Sequence, residues 1–292
     1  MTGKIMKGIG GFYYVYVEGS GLYECRAKGI FRNRKEKPCV GDVVDIDVIS
    51  EKDKTGNLIQ IHPRKNSLIR PLAANVDQAL VIFSVHEPEP DLHLLNRFLI
   101  TMEKQDIPVM IGFNKMDLAG KRERELLEKT YEKSGCELVF LSSVKEEGME
   151  RLKQILFGKT TILAGPSGVG KSSTVNKISK KKQMETGNVS EKIKRGKHTT
   201  RHSELIYLGE DSFLMDTPGF SSLYLNEMDP EELRFYFPEF IPYENRCRFN
   251  GCCHLHEPGC RVKQAVEEGE ISRLRYEDYR MFYEELAQAK KW

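Results

Sequence analysis

Residues 40–49 alternate with period two, apolar at Val44, Ile46 and Val48 and acidic at Asp45 and Asp47, and residues 11–17 and 57–61 carry shorter apolar runs between glycine-containing turns. Three strands are therefore predicted before residue 68. Strands this short and this closely spaced suggest a small barrel. A five-stranded oligonucleotide-binding barrel fits the length, with a different small barrel as the alternative. From Asp77 the texture changes. Apolar runs at 79–85, 108–113, 137–141, 160–164, 204–208 and 212–215 read as strands, and helical periodicity occupies 92–104, 122–133 and 149–157. That succession predicts a mainly parallel sheet covered by helices. After residue 224 the strand pattern stops. A Pro-punctuated segment, a cysteine cluster and a helical tail from about Ser272 follow, the tail drawing its apolar set from Leu274, Tyr279, Met281, Phe282 and Leu286. The expected chain is multidomain: an all-β barrel over 1–68, an α/β domain over 69–223 and a mainly helical domain over 224–292.

Length and composition agree with a globular protein of two or three domains, since 292 residues are 39% hydrophobic and 30% charged. No apolar run approaches the roughly 20 residues that span a bilayer, and the first residues lack a secretory core. The expectation is a cytoplasmic protein with no membrane partner. Net charge is only +2, but residues 171–202 hold ten Lys and Arg against Glu185 and Glu191. Such a run is a solvated face or a contact for a phosphate backbone. Residues 1–68 are mildly basic, with twelve Lys and Arg against eight Asp and Glu, and carry Tyr13, Tyr14 and Tyr16. Alternation sends about half of these tyrosines inward, and the others are candidates for base stacking.

The segment Gly165-Pro166-Ser167-Gly168-Val169-Gly170-Lys171-Ser172, followed by Ser173, matches the phosphate-binding loop between an apolar strand and a helix. Its backbone N–H groups can converge on phosphate oxygens, Lys171 can reach the β- and γ-phosphates, and the Ser172 hydroxyl can ligate magnesium. Asn114-Lys115-Met116-Asp117 closes another predicted strand. There Asp117 can accept the N1–H and 2-amino protons of guanine, a donor pair that adenine lacks. Lys115 is expected along the base and Asn114 is expected to tie the strand end to the phosphate loop. Backbone N–H groups around Ser142 and Ser143, after the next strand, suit the guanine oxygen. Asp216, in Asp216-Thr217-Pro218-Gly219, can reach magnesium through water, and the Gly219 N–H can reach the γ-phosphate. Between these boxes, Arg195-Gly196-Lys197-His198-Thr199-Thr200-Arg201 has the character of a switch, with a threonine pair able to give a hydroxyl to magnesium.

Four of the seven cysteines lie between Cys247 and Cys260. In a cytosolic chain such clustering favours a metal over disulfides. Cys247, Cys252, His254 and Cys260 offer three thiolates and an imidazole, a set that suits one tetrahedral structural zinc. Cys253 and His256 are extra donors that could compete.

The nucleotide boxes are those of translation-factor GTPases in a changed order, because Asn114 to Ser143 precede Gly165. With the barrel, the Gly-Lys-His-Thr-Thr switch and the cysteine cluster, the chain resembles the ribosome-small-subunit-dependent GTPase A family. That resemblance implies a circularly permuted P-loop GTPase between an oligonucleotide-binding barrel and a zinc domain. It also implies GTP hydrolysis with magnesium, and a monomer that binds the small ribosomal subunit and its rRNA late in assembly. The family uses Cys247, Cys252, His254 and Cys260 as its zinc ligands, and Thr200 is the threonine expected on magnesium. Phe220 stands where many GTPases carry a water-orienting glutamine, so slow intrinsic turnover is expected and His198 becomes the candidate in its place. The alternatives are an RNA-binding module switched by GTP with incidental hydrolysis, and a P-loop kinase or ATPase, against which Asp117 argues.

Overall fold

The computed structural model describes residues 1–28, 31, 37–68, 72–179, 204–216, 225 and 228–289. Its chain forms two compact units. The first takes the described residues of 1–80, 149–164 and 171–220, and the second those of 81–148, 165–170 and 221–292.

In the first unit the strands β1 (Thr2–Ile9), β2 (Phe12–Val17), β3 (Gly21–Ala27), β4 (Val43–Ser50) and β5 (Thr55–Ile61) pair in the order β1-β2-β3-β5-β4. Pairing of β1 with β4, Gly3 facing Val44, closes the barrel. Closure leaves no free edge within it. Its core is Ile5, Val15, Tyr23, Cys25, Val44, Ile46 and Leu58, all buried to 1% exposure or less. Two short strands, β6 (Ser67–Leu68) and β7 (Ala73–Ala74), precede β8 (Gln78–Ser84), within which the chain passes from this unit to the second.

The first unit also holds α3 (Met149–Leu156), β11 (Thr160–Ala164), α4 (Lys171–Ser179), β12 (Glu204–Gly209) and β13 (Ser212–Asp216). Strands β11 and β13 run parallel, with Leu163 opposite Asp216. By contrast β12 and β13 form an antiparallel hairpin, turning at Glu210 and Asp211 with φ of 50° and 54°. A two-residue connection permits no other pairing, so this part of the sheet departs from the expected parallel pattern. The outer edge of β12 pairs in turn with β1, Lys7 facing Glu204, and the two side chains form an ion pair at 3.0 Å. Tyr16, half-buried, lies 4.5 Å from the Tyr207 ring, Lys4 sits over Phe213, and the Tyr14 hydroxyl donates to Glu24.

In the second unit β9 (Val109–Asn114) and β10 (Glu137–Phe140) are parallel. The helix α1 (Leu92–Glu103) precedes β9, and α2 (Lys121–Tyr131) joins β9 to β10. Two short 3-10 helices, Pro230–Tyr236 and Pro238–Tyr243, occupy the Pro-punctuated segment, and α5 (Arg261–Glu267) and α6 (Arg273–Ala289) follow. Arg275 of α6 is 1% exposed, donates to both oxygens of Glu239 at 2.7 and 3.0 Å, and reaches Asn96 of α1 at 2.9 Å. A charge buried this deeply is tolerated only with such complete pairing.

Candidate guanine-nucleotide site and metal centre

Strand β9 delivers Asn114 to its carboxyl end, 1% exposed, where the side-chain amide donates to the Val169 carbonyl in the phosphate loop at 2.8 Å. The loop is packed so closely there that only glycine fits at two positions. At Gly165, with φ +139°, an added Cβ would stand 2.1 Å from the Ile82 carbonyl oxygen. At Gly170, with φ +95°, it would stand 2.3 Å from the Asn114 amide nitrogen. Both values are well inside van der Waals contact, so the glycines permit the close approach of the loop to the Ile82 backbone at Gly165 and to the Asn114 side chain at Gly170. Val169 is buried, while Ser167 and Gly168 are exposed on the open side.

Past Asn114 the chain takes a left-handed step at Lys115, φ 62°, and enters the 3-10 turn Met116–Leu118. Met116 is buried and its N–H donates to Leu141 at the end of the next strand. This places Asp117 beside Ser142, whose hydroxyl donates to the carboxylate at 2.6 Å. That bond holds the Asp117 carboxyl below the usual carboxylate range, with Lys145 and Lys115 adding to it. An acceptor-only carboxylate at a strand end, pre-ionised and oriented, suits a pair of N–H donors on one edge of guanine. The Ser142 hydroxyl in turn accepts the Lys145 N–H at 3.0 Å. Ser143 follows directly. Lys115 Nζ donates to the Glu87 carbonyl oxygen.

The chain leaves the loop through Lys171, Ser172 and Ser173, the first turn of α4, with Ser172 and Ser173 exposed. Asp216 closes β13. A serine hydroxyl and an aspartate are hard oxygen donors of the type magnesium takes. His198, Thr200 and Gly219 lie outside the described residues, as does most of the basic run over 171–202.

The metal centre is complete in one place. The ligand atoms of Cys247, Cys252, His254 and Cys260 all lie within 4.8 Å of one another. Zinc bonds of about 2.3 Å to sulfur and about 2.0 Å to nitrogen require tetrahedral edges of about 3.8 Å between sulfurs and about 3.5 Å from sulfur to nitrogen. Cys247 and Cys260 stand 3.9 Å apart, and His254 Nδ1 lies 3.6 and 3.4 Å from them. The dimensions fit zinc. Burial, and after it the neighbouring thiols, push the Cys252 and Cys260 thiols up, so three thiolates need a cation among them. Arg261 N–H donates to Cys247 Sγ at 3.3 Å, and the other ring nitrogen of His254 meets Glu244 at 2.9 Å, the carboxylate support common behind ligating histidines. Cys253 and His256 stand apart from the four, with Cys253 taking a hydrogen bond from Tyr283 and His256 exposed. Sequence reasoning missed Glu244 and the α6 hydroxyls of Tyr276 and Tyr279, which donate to the His254 and Cys253 carbonyls at 2.8 and 2.6 Å. No spacing rule marks such supports: Glu244 precedes the cluster in an irregular stretch, and the tyrosines come from a separate helix.

A strand end carrying Asn-Lys-Met-Asp, tied to a phosphate-loop motif that follows it in sequence, is the arrangement of a circularly permuted P-loop GTPase. The comparisons agree with that class. The RsgA GTPase family model matches residues 61–226 and the RsgA N-terminal domain model matches residues 2–57. The chain belongs to the RsgA GTPase family. It is 52% identical to the small ribosomal subunit biogenesis GTPase RsgA of Agathobacter rectalis, over 100% of both chains. To the protein of that name from Clostridium beijerinckii it is 47% identical, over 100% of this chain and 99% of the other. Among solved structures it is similar to YloQ, a circularly permuted GTPase, with a TM-score of 0.78 and 37% identity over 98% of this chain and 95% of that one. YjeQ from Thermotoga maritima gives 0.81 and 34%, over 98% of each chain.

Proposed function

We propose that this GTPase acts on the small ribosomal subunit, binding its rRNA late in maturation and leaving after GTP hydrolysis. The observation that carries the reading is full-length similarity to relatives named for small-subunit biogenesis, joined to a base-reading and phosphate-binding arrangement held by the Asn114–Val169 bond. Three functional segments are proposed: a barrel over 1–68 for RNA, a GTPase domain over 69–223 and a zinc domain over 224–292. The cytoplasm is the proposed location and a monomer the proposed state. No described helix is long and apolar enough to cross a membrane.

In this reading Asp117 selects guanine, with Asn114, Lys115 and Met116 shaping its support and the N–H groups of Ser142 and Ser143 meeting the guanine oxygen. Residues 165–170 cradle the phosphates, assisted by Lys171, Ser172 and Ser173, and Gly219 donates to the γ-phosphate. Ser172, Thr200 and Asp216 would hold magnesium, which when bound neutralises charge on the β- and γ-phosphates. Lys171 stabilises charge gathering on the bridging oxygen, and His198 orients the attacking water where Phe220 offers no polar group. Cys247, Cys252, His254 and Cys260 would hold a structural zinc that contributes the folding energy of a loop poor in apolar residues.

The test is multiple-turnover GTP hydrolysis with and without purified small subunits. Large stimulation is expected. Equal rates would favour a GTP-switched RNA-binding module with incidental hydrolysis, a reading to which Phe220 lends its one observation.

A further inference from the structure

Residues 84–91, Ser-Val-His-Glu-Pro-Glu-Pro-Asp, join β8 to α1 and belong to none of the nucleotide boxes. Ser84 Oγ donates to the Pro88 carbonyl at 2.7 Å and folds the segment back on itself. On one side Lys115 Nζ holds the Glu87 carbonyl, and Pro88 comes against the phosphate loop, where a Cβ on Gly168 would stand 3.6 Å from Pro88 Cδ. On the other side stands His86. Its ring nitrogens lie 3.0 Å from Glu89 and 2.8 Å from Glu123 in the first turn of α2. The second carboxylate oxygen of Glu123 accepts the Gly120 N–H at 2.7 Å, so this anchor is itself fixed. Only an imidazolium donates to both carboxylates at once.

We propose that His86 is a positioning residue for nucleotide binding: it pins residues 84–91 to α2 and so holds Pro88 as a wall behind the phosphate loop at Gly168. The inference rests on the reading of residues 165–170 as the phosphate cradle. Such a cradle binds through backbone N–H groups that must converge before the ligand arrives, and ordering them on binding would cost affinity. Gly168, with φ +83°, is a point where that backbone is free to move, and the wall limits the movement. His86 itself bonds Glu89 and Glu123, so its effect falls on GTP and GDP alike and on affinity rather than on the chemical step.

The charged groups facing His86 are Glu89 from its own segment and Glu123 from α2, and in that order they hold its pKa above the usual histidine value. A group with a raised pKa supplies its stabilisation while protonated and loses it as pH rises through the raised value. Affinity for both nucleotides therefore declines on the alkaline side, with the hydrolysis rate at saturation unmoved.

The experiment measures GDP and GTP dissociation constants of the full-length protein from about pH 6 to about pH 8.5 with fluorescent nucleotides, beside KM and kcat. At the acid end His86→Gln is expected to weaken GDP and GTP equally, by about two- to fivefold, the range exposed ion pairs sustain. Its pH dependence should be flat, with kcat and the preference for GTP over XTP retained. His86→Arg, always cationic, should restore affinity at every pH, and Glu89→Gln, on a side chain 80% exposed, should move the wild-type midpoint to lower pH. Equal loss in the Gln and Arg variants, a wild-type affinity flat in pH, or a loss confined to kcat would overturn the proposal. A wild-type protein that binds no guanine nucleotide would overturn the cradle reading along with it, and so is told apart from failure of His86 alone.

Discussion

Asn114 and Val169, 55 positions apart, are joined by one buried hydrogen bond of 2.8 Å from the asparagine amide to the valine carbonyl. The bond has no direction along the chain. It serves equally whether the loop at 165–170 precedes or follows the strand that ends in Asn114, so a permuted order keeps the two together. What changes is where the chain goes next: here α3 leads into β11 and on to the loop, and the segment after β13 runs to the C-terminal residues.

In the proposed site, replacing Asp117 by asparagine would remove the acceptor for guanine's 2-amino group and present a donor instead. GTP affinity should fall at least roughly 10²-fold while XTP gains. Competition binding with the two nucleotides checks it, and an unchanged preference would remove Asp117 from base reading.

Ser142→Ala should act through Asp117. The serine hydroxyl depresses the carboxyl's pKa, so the ionised form persists further into acid. A depressed pKa gives a contribution that is present at neutral pH and is lost as pH falls through it. Without the hydroxyl the loss of GTP affinity on acidification should begin at a higher pH, and affinity near neutrality should drop by roughly tenfold. Dissociation constants measured from about pH 7 downward read both effects, and superimposable curves would contradict them.

Cys252→Ser is expected to take zinc content well below one per chain and to speed amide exchange in residues 244–260, while GTP binding survives. Elemental analysis with hydrogen exchange decides. Stoichiometric zinc in the variant would make Cys253 the replacement ligand.

Arg275→Ala leaves Glu239, 4% exposed, as an uncompensated charge and should cost about 3–5 kcal/mol. The double variant Arg275→Met with Glu239→Leu should recover more than half of that. Urea midpoints compare the two, and a double variant no better than the single would show that the pair is worth more than its burial.

His198→Ala should leave GTP affinity nearly intact and reduce subunit-stimulated kcat by roughly 10–10³-fold. Binding to subunits with a non-hydrolysable analogue is measured alongside, because a matching loss there would assign His198 to RNA contact.

The tie from Asn114 to the loop at 165–170 is legible because it joins two motifs of fixed residue type and spacing, and the glycines at 165 and 170 answer to contacts that no other residue permits. Parts of the barrel were harder to read. Strand β1 pairs with β2, β4 and β12 and shifts register between Ile5 and Lys7, so its burial departs from simple alternation. β3 turns Leu22 outward beside Glu24 and Arg26, with Tyr23 and Cys25 inside, so an exposed leucine blurs its alternation. The hairpin of β12 and β13 was missed as antiparallel because neither Glu210 nor Asp211 belongs to the usual Asn-Gly or Gly-Gly turn pairs. The strap at His86 left no trace in spacing, since its meaning depends on Glu123 from another helix.

The pairing of β1 with β12 also guards against a hazard. Without the barrel's first strand, Glu204 at the start of β12 would lose its strand partner and its ion pair with Lys7, and a sheet margin opened in this way is a template for another chain. A shortened protein beginning after residue 68 would carry that opened margin at Glu204 into solution.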